Sequence, residues 1–128
     1  MRLFDKFRRK QSYTLETNSR GVLKVKITPE LFSEILSGFD QYEWDFMTLA
    51  PDNPIEDCTF IQVSPPYEDT APRYTLEAGF YNPQSGLKMY RLLIEDRNRI
   101  LQYFVDFWKE QIIPDVSLWE DVSEEMKQ

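Results

Sequence analysis

The run from Tyr74 to Phe80 constrains the fold more than any other stretch of this chain. Tyr74, Leu76, Ala78 and Phe80 alternate with Thr75, Glu77 and Gly79, and a period of two puts the first set on one face of a strand and the second on the other. Such a strand needs cover on one side. The turn composition Asn82-Pro83-Gln84-Ser85-Gly86 follows, and Leu87 to Ile94 is again rich in β-formers. The two runs therefore close into a hairpin, and the sheet they begin is mostly antiparallel.

Other extended runs join it. Glu43 to Leu49 sets Trp44, Phe46 and Leu49 beside polar partners, and Cys58 to Val63 is nearly continuous in β-formers, the pattern of a well-covered strand. Tyr13 to Thr17 and Val22 to Ile27 flank the turn composition Asn18-Ser19-Arg20-Gly21, which predicts a second hairpin. In its second strand Leu23, Val25 and Ile27 face inward and Lys24 and Lys26 outward.

The cover comes from helices. Thr28-Pro29-Glu30 supplies a hydroxyl cap, a proline at the first helical position and an acid near the positive end of the dipole. Leu31, Phe32, Ile35, Leu36 and Phe39 then fall on one face, with Gly38 placed for a left-handed C-terminal residue. From Glu95 or Asp96 to Ile113 the longest helix is expected, its apolar face made by Ile100, Leu101, Phe104, Val105, Trp108 and Ile112 and its end set by Pro114. Ser117 and Glu120 match a capping box, which predicts a short C-terminal helix through about Met126. The expected fold is α+β: an antiparallel sheet of five or six strands with the helices 29–38 and 96–113 packed on one face.

With 128 residues, 41% of them hydrophobic, the chain has apolar residues for one core rather than two. A single domain over residues 11–128 is expected behind a basic tail, residues 1–10, in which Leu3, Phe4 and Phe7 are spaced for one or two helical turns; the tail is expected to be dispensable for folding. No stretch approaches the ~20 apolar residues of a membrane span, and the opening residues lack the apolar run of a secretory signal. Cys58 is the single cysteine, so no internal disulfide can form and a cytoplasmic location is expected.

The chain has no histidine, which removes the commonest general acid/base and the commonest transition-metal ligand. Cys58 has Asp57 and Thr59 as neighbours and nothing local to activate it, so it reads as a core residue. The acidic pairs Glu56–Asp57, Glu68–Asp69, Glu120–Asp121 and Glu124–Glu125 read as solvated surface, because carboxylate catalysis needs two groups facing each other in a cleft. Asp52-Asn53-Pro54-Ile55-Glu56-Asp57 lacks the alternating ligands and central glycine of a calcium loop. Catalytic residues, metal and cofactor are all expected to be absent.

Charge is the remaining signal. The net charge is −7, yet residues 1–10 carry +4, which leaves −11 on the rest. A body this acidic repels phosphate backbones and attracts cationic surfaces, so nucleic acid is not an expected ligand. Tyr67, followed by Glu68 and Asp69 and closed by Pro72, is an aromatic residue on a restricted acidic loop, either a plain surface loop or an interface element. Trp119, with Leu118 and Val122, is either a core plug for the short C-terminal helix or an anchor in the acidic patch of Glu120 and Asp121. The candidate partner-facing residues are Tyr67, Glu68, Asp69, Asp52, Glu56, Trp119, Glu120 and Asp121.

The opening Leu3-Phe4-Asp5-Lys6-Phe7 and the closing Pro114-Asp115-Val116-Ser117-Leu118-Trp119-Glu120-Asp121-Val122, in a short acidic α+β chain, resemble the small single-domain immunity proteins encoded beside bacterial toxins. The resemblance implies a non-enzymatic protein that occludes a cationic toxin, and an acidic surface adds electrostatic steering. Two other classes stay open: a homo-oligomeric adaptor or structural protein, homodimer included, and a carboxylate-based enzyme.

Overall fold

The computed structural model describes residues 11–18, 23, 25–41 and 43–127. It is an α+β fold whose six-stranded sheet is an antiparallel meander in sequence order: β1 (Tyr13–Glu16), β2 (Met47–Pro51), β3 (Cys58–Ser64), β4 (Tyr74–Asn82), β5 (Gly86–Ile94) and β6 (Glu120–Asp121). Helix α1 (Pro29–Gly38) lies in the connection from β1 to β2, and α2 (Arg97–Lys109) in the connection from β5 to β6.

Register assigns the two faces. Leu15, Leu49, Ile61 and Ala78 are directly paired across β1 to β4, and Leu76 pairs with Leu92. These residues meet Phe32, Ile35 and Leu36 of α1 and Ile100, Phe104 and Phe107 of α2 in one core cluster. Phe32 stands 5.7 Å from Phe104 and 6.1 Å from Trp108, ring centre to ring centre, which ties the helices together over the sheet. On the opposite face one row crosses all six strands: Glu16, Thr48, Gln62, Glu77, Arg91 and Glu120. The alternation of Tyr74 to Phe80 thus separates a helix-covered face from a polar one, as its period predicts.

Helix ends follow their local chemistry. Thr28 Oγ1 accepts from Leu31 N at 3.1 Å, and Asp96 Oδ1 accepts from Asn98 N at 2.9 Å, so α2 begins one residue after its cap. It stops at Lys109 rather than Ile113, because Gln111 turns left-handed (φ 54°) and Ile112 N reaches back to Asp106 O. That earlier stop leaves Ile112 exposed, while Phe107, outside the expected apolar face, is fully buried. Gly38 is not left-handed. It is the last residue of α1, the chain runs on into a 3-10 turn over Phe39–Gln41, and a Cβ at Gly38 would sit 2.5 Å from Trp44 Cδ1 and Nε1.

Three segments differ from the sequence reading. The partner of β1 is β2, from Tyr13↔Pro51 to Glu16↔Thr48, and not the 22–27 segment. Among the described residues of that segment Leu23, Val25, Lys26 and Ile27 form no strand, and Val25 is 57% exposed. Leu23 N still donates to Leu15 O at 2.8 Å, so the chain does return beside β1 at that point. Next, β2 starts at Met47 and not Glu43, because the backbone of Glu43 and Asp45 is bonded to the Asn18 side chain. Last, Ser117 does not cap a helix. Its N–H donates to Asp115 Oδ1, and the chain continues as β6, with Val122 N bonded to Met89 O, before a 3-10 turn over Ser123–Lys127. The basic tail and its expected turns lie outside the described residues. Among the described residues no helix is long and apolar enough to cross a membrane.

Candidate functional site

Strand direction separates the candidate residues. Met47, Ser64, Tyr74 and Ile94 lie at one end of the sheet, and Pro51, Cys58, Asn82 and Gly86 at the other. Tyr67, Glu68 and Asp69 follow Ser64 at the first end, whereas Asp52 and Glu56 lie at the second, on the order of 15 Å away for a five-residue strand. Glu120 and Asp121 form the edge strand β6, both exposed. Trp119 packs on Tyr103 of α2 at 5.7 Å in a T-shaped contact, at the margin of the core. The eight residues therefore occupy three places, and the first combines its acids with an exposed aromatic residue.

At that end the 65–73 loop is tied to itself. Tyr67 N donates to Thr70 Oγ1 at 2.9 Å, and Ala71 N and Thr70 N both donate to Tyr67 O at 2.8 and 3.1 Å. The Tyr67 ring is 51% exposed, and its hydroxyl donates to Asp45 O at 3.3 Å. Partial burial, and then the Asp45 charge, hold that hydroxyl above its ordinary pKa, so it remains a donor at neutral pH. Asp45 is itself placed by Asn18, whose Nδ2 donates to Glu43 O at 3.0 Å and whose Oδ1 accepts from Asp45 N. Asn18 adopts φ 57°, a left-handed conformation that asparagine tolerates better than most residues.

Arg97, the first residue of α2, ties this end to the turn that follows α1. Its Nη2 donates to both carboxylate oxygens of Asp40, at 2.8 and 2.7 Å, and its Nε and Nη2 donate to the Tyr74 hydroxyl at 3.0 and 2.8 Å. The hydrogen bond to Asp40, followed by that to Tyr74, raises the guanidinium pKa. With Asp40 engaged and Asp96 capping α2, the exposed carboxylates here are Glu43, Asp45, Glu68, Asp69 and Glu95, with Arg73 the exposed cation of the loop. None of the five is ion-paired among the described residues. Sequence reading missed Glu43, Asp45 and Glu95. The first two flank Trp44 in a run read as strand, and nothing local marks them as neighbours of Tyr67.

At the opposite end Glu56 and Asp57 form a tight turn closed by Ile55 N to Cys58 O (3.0 Å) and Cys58 N to Ile55 O (2.8 Å), both with positive φ (47° and 70°). They border an open cavity of about 240 Å³ beside Phe80 and Tyr90, which meet edge to face at 5.8 Å, and Lys88 also lines it. Cys58 is fully buried, and burial pushes its thiol up to about 12, so no thiolate forms near neutrality. The acid pairs of the sequence are exposed, while Glu77, the one buried carboxylate among the described residues, is bonded to Arg91 and Gln62. Among the described residues no group of His, Cys, Asp and Glu could hold a metal ion. What the Tyr67 end offers chemically is exposed negative charge, not ion-paired among the described residues, at the same end as a preorganised aromatic hydroxyl. No protein-family model, curated protein or solved structure matches the chain.

Proposed function

We propose that this is a non-enzymatic protein-binding domain, of the immunity type, that covers a cationic protein partner with the acidic end of its sheet. The observation that carries the reading is that five exposed carboxylates share the Tyr67 end of the sheet, none ion-paired among the described residues, at an end braced by the Asn18 and Arg97 contacts. A fixed aromatic residue binds with little ordering cost, and exposed acids at the same end steer a basic surface toward it. A toxin with a cationic groove is a partner of this kind, and a cytoplasmic setting suits a chain whose single cysteine is a buried thiol. Asp52, Glu56, Glu120 and Asp121 lie outside this surface and add to its long-range field.

The test is affinity capture from the native host with the wild-type chain and with the Glu68→Lys/Asp69→Lys variant side by side. The reading predicts a basic protein retained by the first and lost from the second, with unchanged circular dichroism. Recovery of the chain alone would favour the homo-oligomeric reading. Turnover of a small substrate, lost on carboxylate replacement, would establish an enzyme instead.

A further inference from the structure

Both helices pack on one face of the sheet, and the other face carries an apolar patch at the end where β1 begins. Tyr81 and Leu87 are directly paired there and are 48% and 53% exposed. The half-buried Phe60 and Met89 flank them in the next row, with the Phe60 ring over Gly79. Phe80 packs on the core, so alternation turns its neighbour Tyr81 to the open side, and register places Leu87, Met89 and Phe60 with it. We propose that residues 1–10 cross this open face and seat Phe7 and the Leu3-Phe4 pair on the patch.

The chain enters the sheet beside the patch. Asp52 N donates to Ser12 O at 2.8 Å and Asn53 N to Gln11 Oε1 at 3.3 Å, which fixes residues 11 and 12 at the same end of the sheet as Tyr81 and Leu87. Strands lie ~4.8 Å apart, so Phe60 on β3 is about 10 Å and Leu87 on β5 about 19 Å from the line of β1. At ~3.4 Å per extended residue, Phe7 reaches about 17 Å from Ser12 and Phe4 about 27 Å, enough to cross to β5. Charge fits as well. Arg2, Lys6, Arg8, Arg9 and Lys10 stand among these apolar residues, while Asp52, Glu56 and Asp57 lie at that end and Glu16 in the adjacent row of the open face, none ion-paired among the described residues. A second copy seated face to face would instead set such acids against their own counterparts. Covered in this way, the patch is withheld from self-association, and the core on the other face does not depend on the cover. Tyr67 lies at the far end of the sheet, so the inference stands apart from the cationic-partner reading.

The test uses the full chain at low concentration, with phenylalanine rings and leucine and methionine methyls labelled for NMR. Nuclear Overhauser contacts are expected from the rings of Phe4 and Phe7 to the methyls of Leu87 and Met89, and trypsin is expected to cut only slowly after Arg8, Arg9 and Lys10. Phe4→Ser/Phe7→Ser, and separately Tyr81→Ser/Leu87→Ser on the exposed side of the sheet, are expected to abolish the contacts and to speed that cleavage at least about fivefold, since cleavage follows the population of the released segment. The two variants attack the contact from opposite sides, so the tail variant decides the matter even if the sheet variant unfolds. Absent contacts, or a cleavage rate in Phe4→Ser/Phe7→Ser equal to that of the wild type, overturn the proposal. Contacts found only between differently labelled copies, with protection that rises with protein concentration, assign the patch to a second copy and overturn it too.

Discussion

Arg91 on β5 reaches across to its directly paired neighbour Glu77 on β4 and places Nε and Nη2 2.9 and 2.6 Å from one carboxylate oxygen, on the sheet face away from the helices. The Glu77 side chain is 9% exposed and that of Arg91 27%. Burial works against the charged guanidinium, but the hydrogen bonds it donates to Glu77 and then to Glu125 outweigh it, and Arg91 is held charged. Removing the acid leaves a partly buried cation with one exposed partner, Glu125. Glu77→Ala is therefore expected to cost about 2–3 kcal/mol in urea unfolding, Glu77→Gln less because an acceptor oxygen remains, and Glu125→Ala no more than about 0.5 kcal/mol. Equal losses in Glu77→Ala and Glu125→Ala would show that the pair is not the centre of this face.

Gly79 interrupts the best-patterned strand for a steric reason. It pairs directly with Phe60 on β3, and the Phe60 ring occupies the space that a Cβ on Gly79 would need. Gly79→Ala is expected to cost about 1–3 kcal/mol as overpacking. In a Phe60→Ala background the same change should be neutral or stabilising, since alanine suits a strand better than glycine once the ring is gone. Additive effects in the thermodynamic cycle would reject the steric account.

How far the fold could be read in advance depended on the range of the interaction. The alternation of Tyr74 to Phe80, the cap at Thr28-Pro29 and the Asn82 to Gly86 turn are short-range signals, and each element stands where they put it. Strand pairing is not local: nothing in Tyr13 to Thr17 says that its partner is Met47 to Pro51 rather than the nearby 22–27 run. Ser117 and Glu120 satisfy the spacing of a capping box, but the exposed edge of β5 offers this segment backbone partners that a helix could not use. The site divides the same way. Tyr67, Glu68 and Asp69 were legible as a restricted acidic loop, while their neighbours arrive through bonds spanning 22 to 57 residues: Tyr67 to Asp45, Asn18 to Glu43 and Arg97 to Asp40.

Cys58 gives a pH dependence of known sign. Its thiol titrates near 12 in the folded chain against an ordinary value of 9.0, so between these values the folded state keeps a proton that the unfolded state releases. The stability this contributes is complete below about pH 9 and is lost as pH rises toward 12. The thermal midpoint of the wild type should fall from pH 9 to pH 11 more steeply than that of Cys58→Ala, whose midpoint starts lower because of the small cavity left behind. Iodoacetamide at pH 8 should leave the folded chain unmodified and alkylate it in urea. Rapid alkylation of the folded chain would mean that the thiol is neither buried nor raised.

The functional reading makes a kinetic prediction, because charge and contact act on different steps of association. Glu68 and Asp69 are exposed and not ion-paired among the described residues, so they act through the field that a partner meets before it touches the surface. Tyr67 is fixed by its own loop and by Asp45, so it acts after contact. With the captured partner immobilised, Glu68→Lys/Asp69→Lys should slow association about tenfold or more at low salt, with the difference shrinking as screening increases. Tyr67→Ala should leave association nearly unchanged and speed dissociation by about tenfold or more, the loss of about 1.4 kcal/mol or more expected for an aromatic anchor. Tyr67→Phe keeps the ring and loses the bond to Asp45 O, and is expected to fall between wild type and Tyr67→Ala. Should the charge reversal instead change only dissociation, at every ionic strength, the acids are direct contacts and not a steering field.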